Sequence, residues 1–297
     1  MKKILLFLSC ALLLGCKDNF DITKLNGTDK LVVYCFPSPG DTTDIDVGRS
    51  QPVNGKGNAV MIADASVTYQ VNGVALTIRN LGDGHYQAIG QQREGDRITL
   101  SVKANGLPGT MAETTIPAHL AIEKFEVDTV NMYDRDYEAF RKSERFAVTF
   151  TDDAASEDFY AVKLVQKIGH HFRNLRINTH DEPAINGMSD IDYDFGFDDS
   201  SYQNVVFFTD KSINGRRYTL HLGMPYRKFS PPHRIELYRI SPEYYRFIKS
   251  INDVSNNDMG KIGLAPITPT YSNVRGGLGV LGGCSSGLGP WLAGEED

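Results

Sequence analysis

Residues 65–78 read ASVTYQVNGVALTI and carry the strongest local structural signal in this 297-residue chain. Val67, Tyr69 and Val71 alternate with polar residues, which predicts a half-buried β-strand. The dipeptide Asn72-Gly73 predicts a two-residue hairpin turn, because these residue types tolerate the positive φ angles of a type I′ turn. Residues 74–78 then form the predicted return strand.

Short β-rich segments separated by turn residues continue on both sides of this hairpin. The run Leu31-Val32-Val33-Tyr34 precedes it, and the turns Gly82-Asp83-Gly84 and Glu94-Gly95-Asp96 follow it. Strands at intervals of about eight to twelve residues, with almost no helical periodicity, are typical of a β-sandwich. We therefore predict a first β-sandwich domain over residues 31–117, ending at Pro117.

The second half of the chain also consists of β-rich segments, spread over a longer stretch of sequence. Its predicted strands are 122–127, 145–150, 159–166, 204–208, 218–222 and 234–240. Residues 132–142 fit either a helical turn or the tip of a long hairpin. We predict a β-rich second domain over residues 118–275, and a mostly β fold of two antiparallel β-sandwich-like domains of the Ig or prealbumin type.

One short helix is predicted near the C-terminus, over residues 242–254. Ser241 is a suitable N-cap, proline is favoured at the first helical position, and Glu243 suits the positive end of the helix dipole. Helical spacing places four apolar residues on one stripe: Tyr244, Phe247, Ile248 and Ile251. We expect this stripe to pack the helix against a sheet.

The first fifteen residues have the pattern of a lipoprotein signal peptide. Two lysines precede an apolar run at 4–14, which is shorter than the roughly 20 residues needed to span a bilayer. The run ends in Leu-Leu-Gly-Cys at 13–16, which resembles the lipobox of bacterial lipoproteins. We therefore predict removal of residues 1–15, acylation of Cys16, membrane attachment through the lipid, and a tether over residues 16–30.

Charge argues against nucleic acid as a partner. The chain has 31 Lys and Arg against 37 Asp and Glu, a formal net charge of −6, which becomes −8 once Lys2 and Lys3 leave with the signal. Nucleic-acid binding depends on clustered cations that neutralise phosphates. The sequence provides no such cluster.

Two cysteines, Cys35 and Cys284, remain in the mature chain besides Cys16. In an exported protein they could form a disulfide that closes a very long loop. The alternative is that Cys35, which follows Val33 and Tyr34, is a buried small apolar side chain. The sequence alone favours the second interpretation.

The last segment, residues 276–297, contains a match to a dinucleotide-binding motif. Gly277-Leu278-Gly279-Val280-Leu281-Gly282 fits G-x-G-x-x-G, but this motif requires a following helix within a βαβ unit. Further glycines and Pro290 follow instead. We predict a glycine-rich final strand whose backbone closely approaches its neighbours, and then an acidic tail.

Three other segments carry metal-ligand residue types. The acidic run at 189–199 suggests calcium, although compared with an EF-hand loop its glycine is one place late and Ser201 replaces the bidentate glutamate. An exposed acidic hairpin is the alternative. His170-His171 and His180-Asp181-Glu182 suggest a metal or an acid–base pair, but adjacent strand residues point to opposite faces. We predict no catalytic, metal or cofactor-binding residue and no enzyme activity.

The order of several short motifs resembles the outer-membrane lipoproteins of the Bacteroidetes catalogued as domain of unknown function 4249. The motifs are Leu31-Val32-Val33-Tyr34, Gly84-His85-Tyr86, Gly95-Asp96-Arg97-Ile98-Thr99-Leu100, Thr115-Ile116-Pro117, Phe208-Thr209-Asp210, Asn214-Gly215-Arg216-Arg217-Tyr218, Ser241-Pro242-Glu243-Tyr244-Tyr245, Ser272-Asn273-Val274 and Gly277-Leu278-Gly279. Lys17-Asp18 also resembles a signal for export to the outer face of the outer membrane. The family supplies no catalytic residues, and its association with TonB-dependent transporters implies a nutrient-capture role.

The sequence thus predicts a non-catalytic outer-membrane lipoprotein that faces the cell exterior and assists a TonB-dependent transporter, with an unknown small-molecule ligand. An adhesin or envelope-assembly module is the alternative, and a hydrolase is less favoured. A binding cleft would favour the first role, an exposed sheet edge the second, and a pocket with converging acid, base and nucleophile the third.

Overall fold

The computed structural model describes residues 29–51, 60–134, 137–179, 182–186, 202–203, 205–226, 231–256 and 269–292. In these ranges the chain is mostly β, with twenty strands in four sheets and two α-helices. The predicted β-sandwich class is confirmed. None of the helices in the described ranges is long and apolar enough to cross a membrane.

The strands of the first half are β1 (Leu31–Cys35), β2 (Gly40–Arg49), β3 (Val60–Met61), β4 (Ser66–Val71), β5 (Val74–Ala75), β6 (Thr77–Gly82), β7 (His85–Gln92), β8 (Arg97–Lys103) and β9 (Thr110–Thr115). The strands of the second half are β10 (Lys124–Asp134), β11 (Ala139–Thr151), β12 (Phe159–Ile168), β13 (His171–Leu175), β14 (Ile177–Asn178), β15 (Tyr202–Gln203), β16 (Val206–Thr209), β17 (Arg217–Pro225), β18 (His233–Ile240), β19 (Leu278–Leu281) and β20 (Cys284–Leu288).

The first domain packs two sheets, β19-β1-β2-β7-β6 with β3 beside β2, and β5-β4-β8-β9. Alternate residues of both sheets meet in one core, which includes the fully buried Tyr69 and Ile45. Asn72 (φ 51°) and Gly73 (φ 83°) form the predicted turn between β4 and β5. The predicted return strand divides at Leu76, because β6 leaves β4 and pairs with β7 in the facing sheet.

The second domain packs β10-β11-β17-β14-β15 against β13-β12-β18-β20, with β16 beside β12. Its core is separate from the first, and core membership changes between Ile116 and Leu120, on either side of Pro117. Of the segment at 132–142, residues 132–134 end β10 and residues 139–142 begin β11, which favours the hairpin tip over the helical turn.

The C-terminal helix (Pro242–Asn256) lies between the two domains. Ser241 is its N-cap, since the Tyr244 amide donates to Ser241 Oγ at 3.3 Å. The ring of Tyr244 is 4.6 Å from that of Phe36 in the first domain, and Tyr245 is 4.8 Å from Phe159 in the second.

The predicted apolar stripe of this helix is wrong at one end. Ile251 is 44% exposed, whereas Tyr245, which the stripe omitted, is buried. The reason is that the helix contacts sheets on two sides. Phe247, centred 5.7 Å from the ring of Tyr34, faces the first domain, whereas Tyr245 faces the second.

The glycine-rich segment near the C-terminus forms two strands rather than one. β19 pairs in parallel with β1 of the first domain, and β20 pairs antiparallel with β18 of the second. A Cβ on Gly279 would lie 2.0 Å from the Val33 carbonyl oxygen, and one on Gly283 would lie 2.2 Å from that of Thr115. These positions therefore need glycine for close backbone approach.

Candidate functional site

A cleft of about 340 Å³ lies where the first domain, the C-terminal helix and the segment before β19 meet. Its lining comprises Glu113 of β9, Glu243 in the first turn of the helix, and residues 271–275. This volume is at the small end of the usual range for ligand sites. The lining is polar, and Tyr271 is the only aromatic side chain among the described residues that form it.

Asn273 fixes the segment that forms one wall of the cleft. Its amide Nδ2 donates to the carbonyl oxygens of Leu281 (2.9 Å) and Glu113 (3.2 Å), and its Oδ1 accepts from the Leu281 amide at 3.0 Å. Arg275 and Met111 exchange both backbone hydrogen bonds, at 2.8 and 3.1 Å. The wall is thereby held against β9 and β19.

Three of the described residues that line the cleft have charged side chains. Glu113 accepts a hydrogen bond from Arg97 through Oε2, which lowers the pKa of the Glu113 carboxyl, and the charge of Arg275 lowers it further. Glu243 accepts from the Thr114 hydroxyl through Oε2 at 3.1 Å. Oε1 of each glutamate, and the Arg275 guanidinium, hydrogen-bond to no described residue. The cleft thus has both acceptors and donors to offer.

A second cluster contains three buried carboxylates, Asp152, Asp158 and Asp210, each with an oxygen within 4.8 Å of the others. Arg239 donates to both oxygens of Asp158, through Nε at 2.9 Å and through Nη2. The Tyr160 hydroxyl donates to Asp152 and lies 3.2 Å from an Asp158 oxygen. Oxygen ligands of this kind suit calcium.

Internal donors already satisfy much of this acidic cluster. The Gly215 amide donates to Asp152 at 2.7 Å, and the Asp158 amide donates to Asp210 at 2.8 Å. Burial, together with the charges of Asp152 and Asp158, raises the pKa of Asp210. We interpret the cluster as a structural network that joins the loops after β11 and β16 to β18.

The structure describes only some of the residues singled out in the sequence. Cys16 and the acidic run at 189–199 lie outside the described residues, as do His180 and Asp181. His170 and His171 are exposed at the β12–β13 turn. Glu182 is fully buried, where it accepts hydrogen bonds from the Tyr218 hydroxyl and the Ala184 amide. The described residues of this group form no common site.

The two described cysteines and the glycine motif lie in the packed cores and strands of the fold. Cys35 is buried in the first core and Cys284 packs beside the helix, and both are free thiols. Burial raises the pKa of the Cys284 thiol to about 11. The G-x-G-x-x-G match spans Gly277 to Gly282 and lies in and around β19, where no helix follows it within the described residues.

A family model described as a domain of unknown function, DUF4249, matches residues 17–287. The chain belongs to this family. The match begins just after Cys16 and ends within β20, so it covers both sandwiches, the C-terminal helix and the cleft. A search of curated proteins found no match.

The DUF4249 description gives no activity, so a function must be argued from the site itself. Sequence reasoning missed the cleft, because Glu113, Glu243 and Arg275 come from distant segments and form no local motif. It also missed Asp152 and Asp158. A signal for those was present, since both flank one short polar loop between two predicted strands.

Proposed function

We propose that this DUF4249 protein is a non-catalytic binding lipoprotein of the outer membrane, anchored through Cys16 on the outer face. In this role it captures a small nutrient and works beside a TonB-dependent transporter. The observation that carries the proposal is the polar cleft between β9, the C-terminal helix and residues 271–275, whose charged groups have hydrogen-bonding atoms that no described residue uses. The lipobox at 13–16 supports the anchor.

The geometry of the cleft suits binding better than chemistry. Acyl transfer needs a nucleophile beside a base and an oxyanion site. The lining includes one aliphatic hydroxyl among the described residues, that of Ser272, which accepts from the Val274 amide at 3.2 Å and has no hydrogen bond to a described carboxylate or imidazole. In the acidic cluster the nearest hydroxyl is that of Tyr160, and burial raises its pKa far above the usual range. That phenol is a poor nucleophile at neutral pH, so we place a hydrolase last.

The transporter association is tested by affinity capture from native outer membranes with the lipidated protein. We expect a TonB-dependent transporter to co-purify at near equal amounts with the native protein. The variant Cys16→Ala, which cannot carry the thioether-linked lipid, is the matched control and should recover neither membrane nor transporter. Capture of lipidated protein without any transporter would contradict the accessory role.

A second function, adhesion or envelope assembly, is favoured by the β10–β11 hairpin. β10 is eleven residues long and pairs only with β11 among the described strands. Tyr137 and Phe140 near the hairpin end are 66% and 73% exposed. A long free edge with exposed aromatic residues can pair with another chain. If the hairpin has this function, the double variant Tyr137→Ala, Phe140→Ala would abolish self-association, measured by light scattering, or cell adhesion, measured by a cell-attachment assay.

A further inference from the structure

The charges of the cleft lined by Glu113, Glu243 and Arg275 indicate which molecules it can hold. Glu113 is ion-paired with Arg97 through Oε2, and the charge of Arg275 also acts on it. Oε1 of Glu113 and of Glu243 has no described hydrogen-bond donor, and the guanidinium of Arg275 has no described hydrogen-bond acceptor. The two carboxylates can accept hydrogen bonds from a protonated amine. The guanidinium can donate two parallel hydrogen bonds to a carboxylate.

The walls that carry these groups are fixed. Thr114 holds Glu243 at 3.1 Å and also accepts from the Gly283 amide at 3.3 Å. The backbone of Arg275 is bonded to Met111, and Asn273 ties the same segment to β19. A ligand would therefore meet charged groups whose backbones are already positioned, which lowers the ordering cost of binding.

We propose that the cleft binds a small zwitterion of the α-amino acid class, with its ammonium group at Glu113 and Glu243 and its carboxylate at Arg275. This inference rests on the proposed binding function and names the ligand class of that site. The cleft volume of about 340 Å³ suits a small molecule rather than a folded partner. Mixed charge in the lining disfavours simple anions, since two carboxylates face them.

Isothermal titration calorimetry of the lipidated protein in detergent tests this ligand class. L-alanine is the zwitterionic probe, ethylamine carries only the ammonium, and acetate carries only the carboxylate. We expect L-alanine to bind with a dissociation constant in the millimolar range or tighter, and each half-molecule to bind at least about tenfold more weakly. Equal binding of acetate, or no binding of L-alanine, would overturn the proposal.

Two variants connect binding to the cleft. Glu243→Gln keeps an oxygen for the Thr114 hydroxyl but loses the negative charge, and Arg275→Gln changes an exposed side chain. Each should weaken L-alanine binding at least about tenfold, whereas Glu126→Gln on the outer face of β10 should leave it unchanged. Unchanged affinity in both cleft variants, with unaltered thermal midpoints, would refute the site. Transporter capture is a separate experiment, so failure of L-alanine to bind would refute the ligand class without refuting the association with a transporter.

Discussion

Replacing Gly283 by alanine should destabilise both domains together. A Cβ at this position would lie 2.2 Å from the Thr115 carbonyl oxygen and 3.0 Å from Ile116 Cα. Carbon–oxygen contacts are normally no closer than about 3.3 Å, so the two backbones must separate by about 1 Å. Both sides of this contact are main chain, so no side-chain rotation can relieve it.

The same movement would strain two hydrogen bonds at Gly283. Its amide donates to the Thr114 hydroxyl at 3.3 Å, and its carbonyl accepts from the Ser241 amide at 2.8 Å. Overpacking of a well-packed site costs about 1–3 kcal/mol. Because only backbone can yield here, we expect a loss near the upper limit, about 3 kcal/mol, and a midpoint lowered by about 6 °C or more.

Urea unfolding followed by two probes measures this loss. Far-ultraviolet circular dichroism reports on all the sheets. Trp291, the single tryptophan of the chain, stacks on Phe172 of β13 and reports on the second domain. Gly109→Ala is the control, because a Cβ there would meet only ordinary contacts at 3.4 Å or more. If the urea midpoint of Gly283→Ala equals that of Gly109→Ala, the close approach of the two backbones is refuted. Separate transitions from the two probes would refute the coupling.

Three further perturbations test the networks described above. Arg239→Met should cost about 3–5 kcal/mol of unfolding free energy, measured in urea, because it leaves the buried Asp158 without its cation; a loss near that of an exposed arginine would contradict this. Asp210→Asn tests the raised pKa of the Asp210 carboxyl. Because the native state binds this proton more tightly than the unfolded state, the free energy of unfolding of the wild type, relative to that of the variant, should fall as pH rises above about 4. A pH-independent difference between the two proteins would show that the carboxyl is unperturbed. Asn273→Ala should cost about 2 kcal/mol, because it leaves the Leu281 amide and carbonyl without their side-chain partner, and a thermal midpoint within error of wild type would be inconsistent with that role.

Local patterns in the sequence predicted local structure well. Asn72-Gly73 specified its turn because few residue pairs tolerate two positive φ angles, and Ser241-Pro242 marked the start of the helix. The division of the return strand at Leu76 was not predictable in this way. Its residues favour β structure in either sheet, and only tertiary packing determines which sheet they join.

Features that depend on distant segments were missed. The helix stripe failed at Ile251 because a single-face pattern assumes one neighbour, whereas this helix packs on two domains. The cleft joins Glu113 to Arg275, and the acidic cluster joins Asp152 to Asp210. Such pairs become visible only once the strands are placed, since their spacing in the chain carries no periodic signal.

The route of the chain end has a consequence for synthesis. β19 completes a sheet of the first domain only after most of the second domain has been made, and the chain then returns to the second domain with β20. The strands β1 to β9 are synthesised first, yet the sheet that contains β1 lacks β19 until residues 278–281 have been made. A chain that ends before residue 278 would therefore leave the β1 edge without its β19 partner and exposed to proteases.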